Sequence, residues 1–213
     1  ATARAESMPF EQAVSEGLVR WLPEECYRAY LAANAGVSLD RKARGARVVF
    51  TPLHGTGYHS AGAVLENEGF DVQLYPEQAE PDGTFPKVPF RSPNPEVSES
   101  LVGAAEYAAT QAADLVLGTD PDADRIGMMA PHDGEWRFFT GNEIGLIIAQ
   151  YLLGESAAPD GGTDRRFATT TVVTTSLFGK ICRSFGLEVV DDLGVGFKYI
   201  ADILNRVEAS GKW

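Results

Sequence analysis

Three aspartates at alternate positions, Asp120, Asp122 and Asp124, are followed at once by Arg125 in the segment "GTDPDADRIG" at residues 118–127. Uncompensated carboxylates so close together repel one another, and two of the three would take up protons unless a cation neutralised them. A hard divalent ion is the simplest remedy, because it prefers oxygen ligands. In an extended segment Asp120 and Asp124 would lie about 13 Å apart, at roughly 3.3 Å per residue. Two ligands of one Mg²⁺, each bound at about 2.1 Å, can be at most about 4.2 Å from each other, so a loop that holds one ion must curl. Pro121 favours a turn, and Ala123 leaves room for the backbone to close on itself. The competing reading is a solvated acidic loop. An EF-hand is excluded, since position six of the loop is Arg125 instead of glycine and position twelve is Pro131 instead of glutamate.

The elements around this segment place it at a strand end. "ADLVLGT" before it reads as a buried strand, and "IGMMAP" after it as a second strand that runs to a hairpin turn at Asp133 and Gly134. Upstream, "ARVVFTPLHGTGYHSAGAVLENEGFDVQLY" passes from a β-branched run through a glycine-containing turn into a helix and then a strand, which is a βαβ unit. Gly55 and Gly57 are read as turn glycines, because "GTGYHSAG" fits neither the dinucleotide nor the P-loop spacing. Residues 76–96 hold six prolines and predict an irregular surface loop, followed by a helix over about 98–113. Apolar spacing over residues 11–35 predicts two short helices, broken at Pro23 and stopped at Gly36.

Eighteen basic against thirty acidic residues give this 213-residue chain a net charge of -12, with no basic run, so nucleic acid is excluded as a partner. Cys26 and Cys182 are far apart and lack CxxC spacing, which fits a reducing cytoplasm. The apolar run "IGLIIAQYLL" is far shorter than the roughly 20 residues of a membrane helix, and the opening residues do not read as a signal peptide. No membrane association is expected.

Four segments in order, "FTPLHGTG" at 50–57, "FPKVPFRSPNPE" at 85–96, "GTDPDADRIG" and "GVGFKYI" at 194–200, resemble the α-D-phosphohexomutase superfamily, most closely its phosphoglucomutase and phosphomannomutase branch. The resemblance implies an α/β fold of mixed sheets with flanking helices, repeated as four domains, of which this chain is a truncated part. Residues 1–42 correspond to the helical end of the first domain, 43–158 to the second domain with the metal loop, and 163–213 to the start of the third. It also implies Mg²⁺ on Asp120, Asp122 and Asp124, and Arg125 as a contact to the substrate or its phosphate, or as a brace for the loop. Lys198 in "GFKYI" becomes a candidate contact on a loop facing the cleft, against the alternative of a solvated lysine. His54 is a further candidate near the cleft, or a turn histidine. Where family members often carry hydroxyl residues before Gly-Phe-Lys, this sequence has Leu193, Gly194 and Val195.

The implied activity is transfer of phosphate between C6 and C1 of a hexose phosphate, through a phosphoserine and a hexose bisphosphate. The family's serine lies in an "SHNP"-type segment that this sequence lacks; Ser92 in "SPNP" belongs to the second-domain stretch and is not that nucleophile. No catalytic residue is therefore assigned, the 213 residues alone are expected to be inactive, and the remaining mutase domains are needed for turnover. Two rivals are a non-catalytic metal-binding or assembly module and a haloacid-dehalogenase-type phosphatase. The latter order is mimicked by "LVLGTDPD", "VVTTS", Lys180 and "EVVDD", but the Thr or Val expected two residues after its second aspartate is Asp124 or Ile126, depending on register.

Overall fold

The computed structural model describes residues 7–36, 38, 43–155 and 166–211. The domain boundaries expected at residue 42 and between residues 158 and 163 fall outside these residues. The chain divides after Ser38 into two compact units, each taken by itself below.

The smaller unit contains α1 (Phe10–Ser15) and α2 (Glu24–Ala35). Pro23 sits at the N-cap of α2, where its fixed φ suits the helix start, and Gly36 ends the helix. Neither helix buries a residue, and Phe10 meets Trp21 edge to face with ring centroids 6.2 Å apart.

The larger unit is built on a five-stranded mixed sheet in the order β2-β1-β3-β4-β5. Strand β1 (Arg47–Thr51) runs parallel to both β2 (Asp71–Leu74) and β3 (Leu115–Thr119), while β4 (Ile126–His132) and β5 (Glu135–Phe139) continue antiparallel. Helix α3 (Ala61–Asn67) completes the βαβ unit. The β4–β5 turn falls on Asp133 and Gly134, both at positive φ (51° and 84°), as a two-residue hairpin of the twist-matched type requires.

Helix α4 (Glu99–Thr110) lays Leu101, Ala104, Ala105 and Ala108, one i, i+3, i+4, i+7 face, against Val49, Val116 and Met129 of the sheet. The three alanines let the helix approach closely. This is the core, and its Leu101 packs against Gly118 of β3 and Gly127 of β4, on the two strands that the aspartate loop joins. The proline-rich segment covers its rim with two short 3₁₀ turns, Pro76–Gln78 and Pro89–Arg91. Buried Gln78 ties that rim down: its amide oxygen accepts from the Thr51 hydroxyl at 2.6 Å, and its amide nitrogen donates to the Lys87 carbonyl at 3.0 Å.

After β5, α5 (Gly141–Glu155) leads to a two-stranded parallel sheet of β6 (Phe167–Thr171) and β7 (Glu188–Leu193), joined by α6 (Ser176–Ser184) and followed by α7 (Phe197–Ser210). Asn142 in the first turn of α5 accepts from the Thr175 backbone N–H at 2.8 Å and donates to the Val173 carbonyl at 3.4 Å. One side chain thus fastens the start of α5 to the β6–α6 turn.

Candidate metal and phosphate site

Strand β3 ends at Thr119, and the chain turns at once. The Ala123 N–H donates to the Asp120 carbonyl at 3.0 Å, closing a turn with Pro121 at its second position. Ala123 then adopts a left-handed φ of 59°, which reverses the path so that β4 can start at Ile126. The curl brings one carboxylate oxygen from each of Asp120, Asp122 and Asp124 to within 4.8 Å of the others. Ligand pairs on a Mg²⁺ at about 2.1 Å span roughly 3.0 Å when adjacent and 4.2 Å when opposite, so closing the set onto one ion asks the carboxylates to draw together by up to about 1–2 Å, within reach of side-chain rotation at the two exposed aspartates. The all-oxygen donor set, with one member buried and two exposed, fits a hard cation that keeps several waters.

Asp120 is 1% exposed, and both of its carboxylate oxygens are occupied. Oδ1 accepts from the Arg125 backbone N–H at 3.0 Å and Oδ2 from its Nε at 2.8 Å. Burial pushes the Asp120 carboxyl up, but these Arg125 bonds and the guanidinium charge outweigh it and hold the group below its ordinary value. Asp124 goes the other way. The Asp120 carboxylate beside it, by shared hydrogen bonding and by charge, pushes Asp124 up, and Asp122 adds to the push. Two neighbouring carboxylates driven in opposite directions are what close like charges produce when a cation sits nearer to one of them. The Arg125 guanidinium also lies 3.7 Å from Asp124 and 4.0 Å from Glu96.

The loop does not stand alone. After β1 the chain passes through Leu53 and His54, both left-handed at φ 47° and 64°. Strain there, roughly 1–2 kcal/mol per residue, is offset by three hydrogen bonds. The His54 N–H donates to the Gln78 carbonyl at 2.9 Å, the His54 carbonyl accepts from Asp82 at 3.1 Å, and ring Nδ1–H donates to the Glu80 carbonyl at 2.8 Å. The turn so fixed presents Gly55, Thr56 and Gly57 to the aspartate loop. Thr56 donates twice to the Pro121 carbonyl, from its backbone N–H at 2.9 Å and its hydroxyl at 3.1 Å.

The two glycines do more than turn the chain, which is a correction to their reading from sequence. A Cβ on Gly55 would stand 2.1 Å from the Pro121 Cα, and one on Gly57 would stand 2.1 Å from the Thr119 hydroxyl oxygen. Neither has a positive φ; their use is close approach.

The structure therefore gathers Asp120, Asp122, Asp124 and Arg125 in one place and braces them with the turn that contains His54. The imidazole of His54 is buried; its Nδ1 proton serves that turn, and its Nε2 has no partner among the described residues. Lys198 belongs to the other sheet. "GFKYI" was expected as a loop, but it becomes helical from Phe197, so the loop ends at Gly196 (φ 122°) and Lys198 lies in the first turn of α7. The lysine is exposed, its ammonium sits 5.0 Å from the Tyr199 ring centroid, and no hydrogen bond or ion pair ties it to the aspartate loop among the described residues. Sequence reasoning missed Thr56 and Glu96; the only available signal was their place inside "PLHGTG" and "PNPE".

Residues 25–134 match phosphoglucomutase/phosphomannomutase, alpha/beta/alpha domain II, and residues 140–211 match domain III of the same family. The chain belongs to the phosphoglucomutase/phosphomannomutase family. It is 31% identical over 206 residues to a phosphoglucomutase of Staphylococcus saprophyticus, a match covering 94% of this chain and 36% of that protein. A probable phosphoribomutase of Schizosaccharomyces pombe is 33% identical over 169 residues, covering 78% of this chain and 28% of that protein. Among solved structures, a putative phosphomannomutase from Thermus thermophilus shares the fold with a TM-score of 0.65 at 22% identity, over 85% of this chain and 38% of that one. The chain spans about a third of the length of the curated relatives it matches. Among the described residues no helix is long and apolar enough to cross a membrane.

Proposed function

We propose that the full-length protein is a Mg²⁺-dependent phosphohexomutase of the cytoplasm, which moves phosphate between C6 and C1 of a hexose phosphate through a phosphoserine and a hexose bisphosphate. The observation that carries this reading is the set of three carboxylates, with oxygens within 4.8 Å, curled on the β3–β4 loop of a chain from this family. When bound, the ion supplies positive charge that neutralises a phosphoryl group during transfer.

This chain's own residues do the rest of the work at that loop. Asp120, buried and held by Arg125, fixes the loop's shape; Asp122 and Asp124 are exposed and complete the ligand set. Arg125 offers a planar fork suited to phosphate oxygens. Lys198 is the second cation of the reading and His54 a further candidate contact. A net charge of -12 opposes the approach of an anionic sugar, so these local cations have to reverse the field where the sugar binds. The serine that carries phosphate is not part of this sequence, and the 213 residues alone should interconvert no sugar phosphate.

A coupled assay of the full-length protein with glucose, mannose and ribose phosphates tests the reading. Turnover should appear with at least one sugar, vanish in chelator and return with Mg²⁺. Turnover unaffected by chelator would overturn the metal assignment, and no turnover with any of the three would overturn the activity.

A further inference from the structure

We propose that the Arg125 guanidinium and the metal ion compete for Asp120, and that Glu96 is the positioning residue that takes over the guanidinium when the ion binds. The inference deepens the reading above and rests on its metal assignment. Arg125 Nε lies 2.8 Å from Asp120 Oδ2 and 3.7 Å from Asp124 Oδ1, against two of the three carboxylates that form the ligand set. A monovalent cation thus already leans on the oxygens a divalent ion needs. Once the ion is seated, like-charge repulsion and the loss of electron density on Asp120 weaken the Nε contact.

The guanidinium has a place to go. Its NH1 is 4.0 Å from Glu96 Oε2, and a displacement of about an ångström brings that pair to charge-assisted hydrogen-bond distance. Glu96 is well set to receive it. Its backbone N–H donates to the Asn94 side chain at 3.0 Å, which fixes the "PNPE" turn. That turn seats on β4 so closely that a Cβ at Gly127 would stand 2.0 Å from the Pro95 carbonyl oxygen. The other Glu96 oxygen lies 3.6 Å from the Cβ position of Gly141, the first residue of the 15-residue helix α5, where the helix dipole favours an anion. The Glu96 and Arg125 side chains are 53% and 44% exposed, so both can adjust without repacking the core.

A double-mutant cycle on Mn²⁺ affinity of this chain, read by calorimetry, tests the exchange. Glu96→Gln should weaken Mn²⁺ binding about three- to tenfold, the worth of one partly screened charged hydrogen bond. Arg125→Met should tighten it, since the competitor is gone. In the Arg125→Met background Glu96→Gln should then change affinity by less than about twofold. An equal loss in both backgrounds would make Glu96 a mere distant charge and overturn the proposal. No Mn²⁺ binding by the unaltered chain would instead sink the metal reading, and this inference with it. As an independent readout, the Arg125 Nε–H resonance should shift when Mg²⁺ is added, and that shift should be smaller in Glu96→Gln and largely restored in Glu96→Asp. A shift unchanged in Glu96→Gln would also overturn the proposal.

Discussion

Gly55 and Pro121 touch backbone to backbone: a Cβ on Gly55 would stand 2.1 Å from the Pro121 Cα and 2.5 Å from its carbonyl oxygen. That carbonyl is the same atom to which Thr56 donates twice. The turn after β1 is therefore the mould in which the aspartate loop is held. Gly55→Ala should push the loop off that turn, costing about 1–3 kcal/mol in stability, as overpacking does, and weakening Mn²⁺ binding severalfold. Gly57→Ala meets the Thr119 hydroxyl, a side-chain atom that can swing aside, and should cost less. Thermal unfolding and Mn²⁺ calorimetry on both variants check this order; equal effects would argue against the mould.

Asp120 and Asp122 should separate stability from affinity. Asp120→Asn takes the buried partner from Arg125 and should lower stability by about 1–3 kcal/mol, less than for a fully buried pair because Arg125 is half exposed. Asp122 is exposed, so Asp122→Ala should leave unfolding within about 0.5 kcal/mol of the parent while Mn²⁺ binding is lost. Denaturant melts beside calorimetry decide the matter. Binding that survives Asp122→Ala would place the metal elsewhere.

Arg125→Lys keeps the charge but not the planar fork. In the full-length protein kcat/KM should fall roughly 30- to 150-fold, corresponding to a lost charged contact of about 2–3 kcal/mol. Mn²⁺ affinity should stay within a few-fold. Unchanged turnover would reduce Arg125 to a counter-charge for the carboxylates.

The opposite shifts of Asp120 and Asp124 set a pH signature. Asp124 is raised in the folded chain, chiefly by the hydrogen bond and charge of Asp120. Its protonated form therefore stabilises the metal-free loop at acid pH, and this contribution is lost as pH rises through its folded value. Asp120 is lowered by Arg125 in spite of burial, so its contribution is present above the ordinary carboxylate range and is lost as pH falls through its folded value. Carboxyl NMR titration of the metal-free chain should find Asp124 titrating above a usual aspartate, and Asp120→Asn should bring it back down. Added Mg²⁺ should move the Asp124 midpoint downward, since the ion binds only the ionised group. An Asp124 midpoint that ignores both changes would contradict the coupling.

Much of this was readable from local chemistry. Pro23 and Gly36 bound α2 because one cannot continue a helix backwards and the other ends it cheaply; Asp133 and Gly134 make the hairpin because both tolerate positive φ. A curl at Pro121 is what one shared ion would require of the three carboxylates, and the loop does curl there. What stayed hidden depends on residues far apart in sequence. The fit of Gly55 to Pro121 spans 66 positions, and turn propensity says nothing about which backbone approaches a glycine. Glu96 likewise gains its meaning only when Pro95 docks over Gly127. The loop expected for Lys198 rests on the resemblance of "GFKYI" to a cleft-facing loop of the family, yet Phe197 onward has the spacing of a helix, and α7 begins there.

The β6–β7 pair described above has consequences for how the larger unit comes apart. Among the described residues this sheet consists of two parallel strands, paired with a register irregularity between Thr169 and Thr171, and a two-stranded pair is marginal by itself. The five-stranded sheet, with its continuous core under α4, is a separate reservoir of cooperativity. Amide protons of Val189 and Val190 should exchange with solvent far sooner than those of Val49 and Val116, with the Asn142 bridge the seam along which the weaker part peels away. The aspartate loop, anchored wholly in the slower-exchanging part, would keep its shape through such openings.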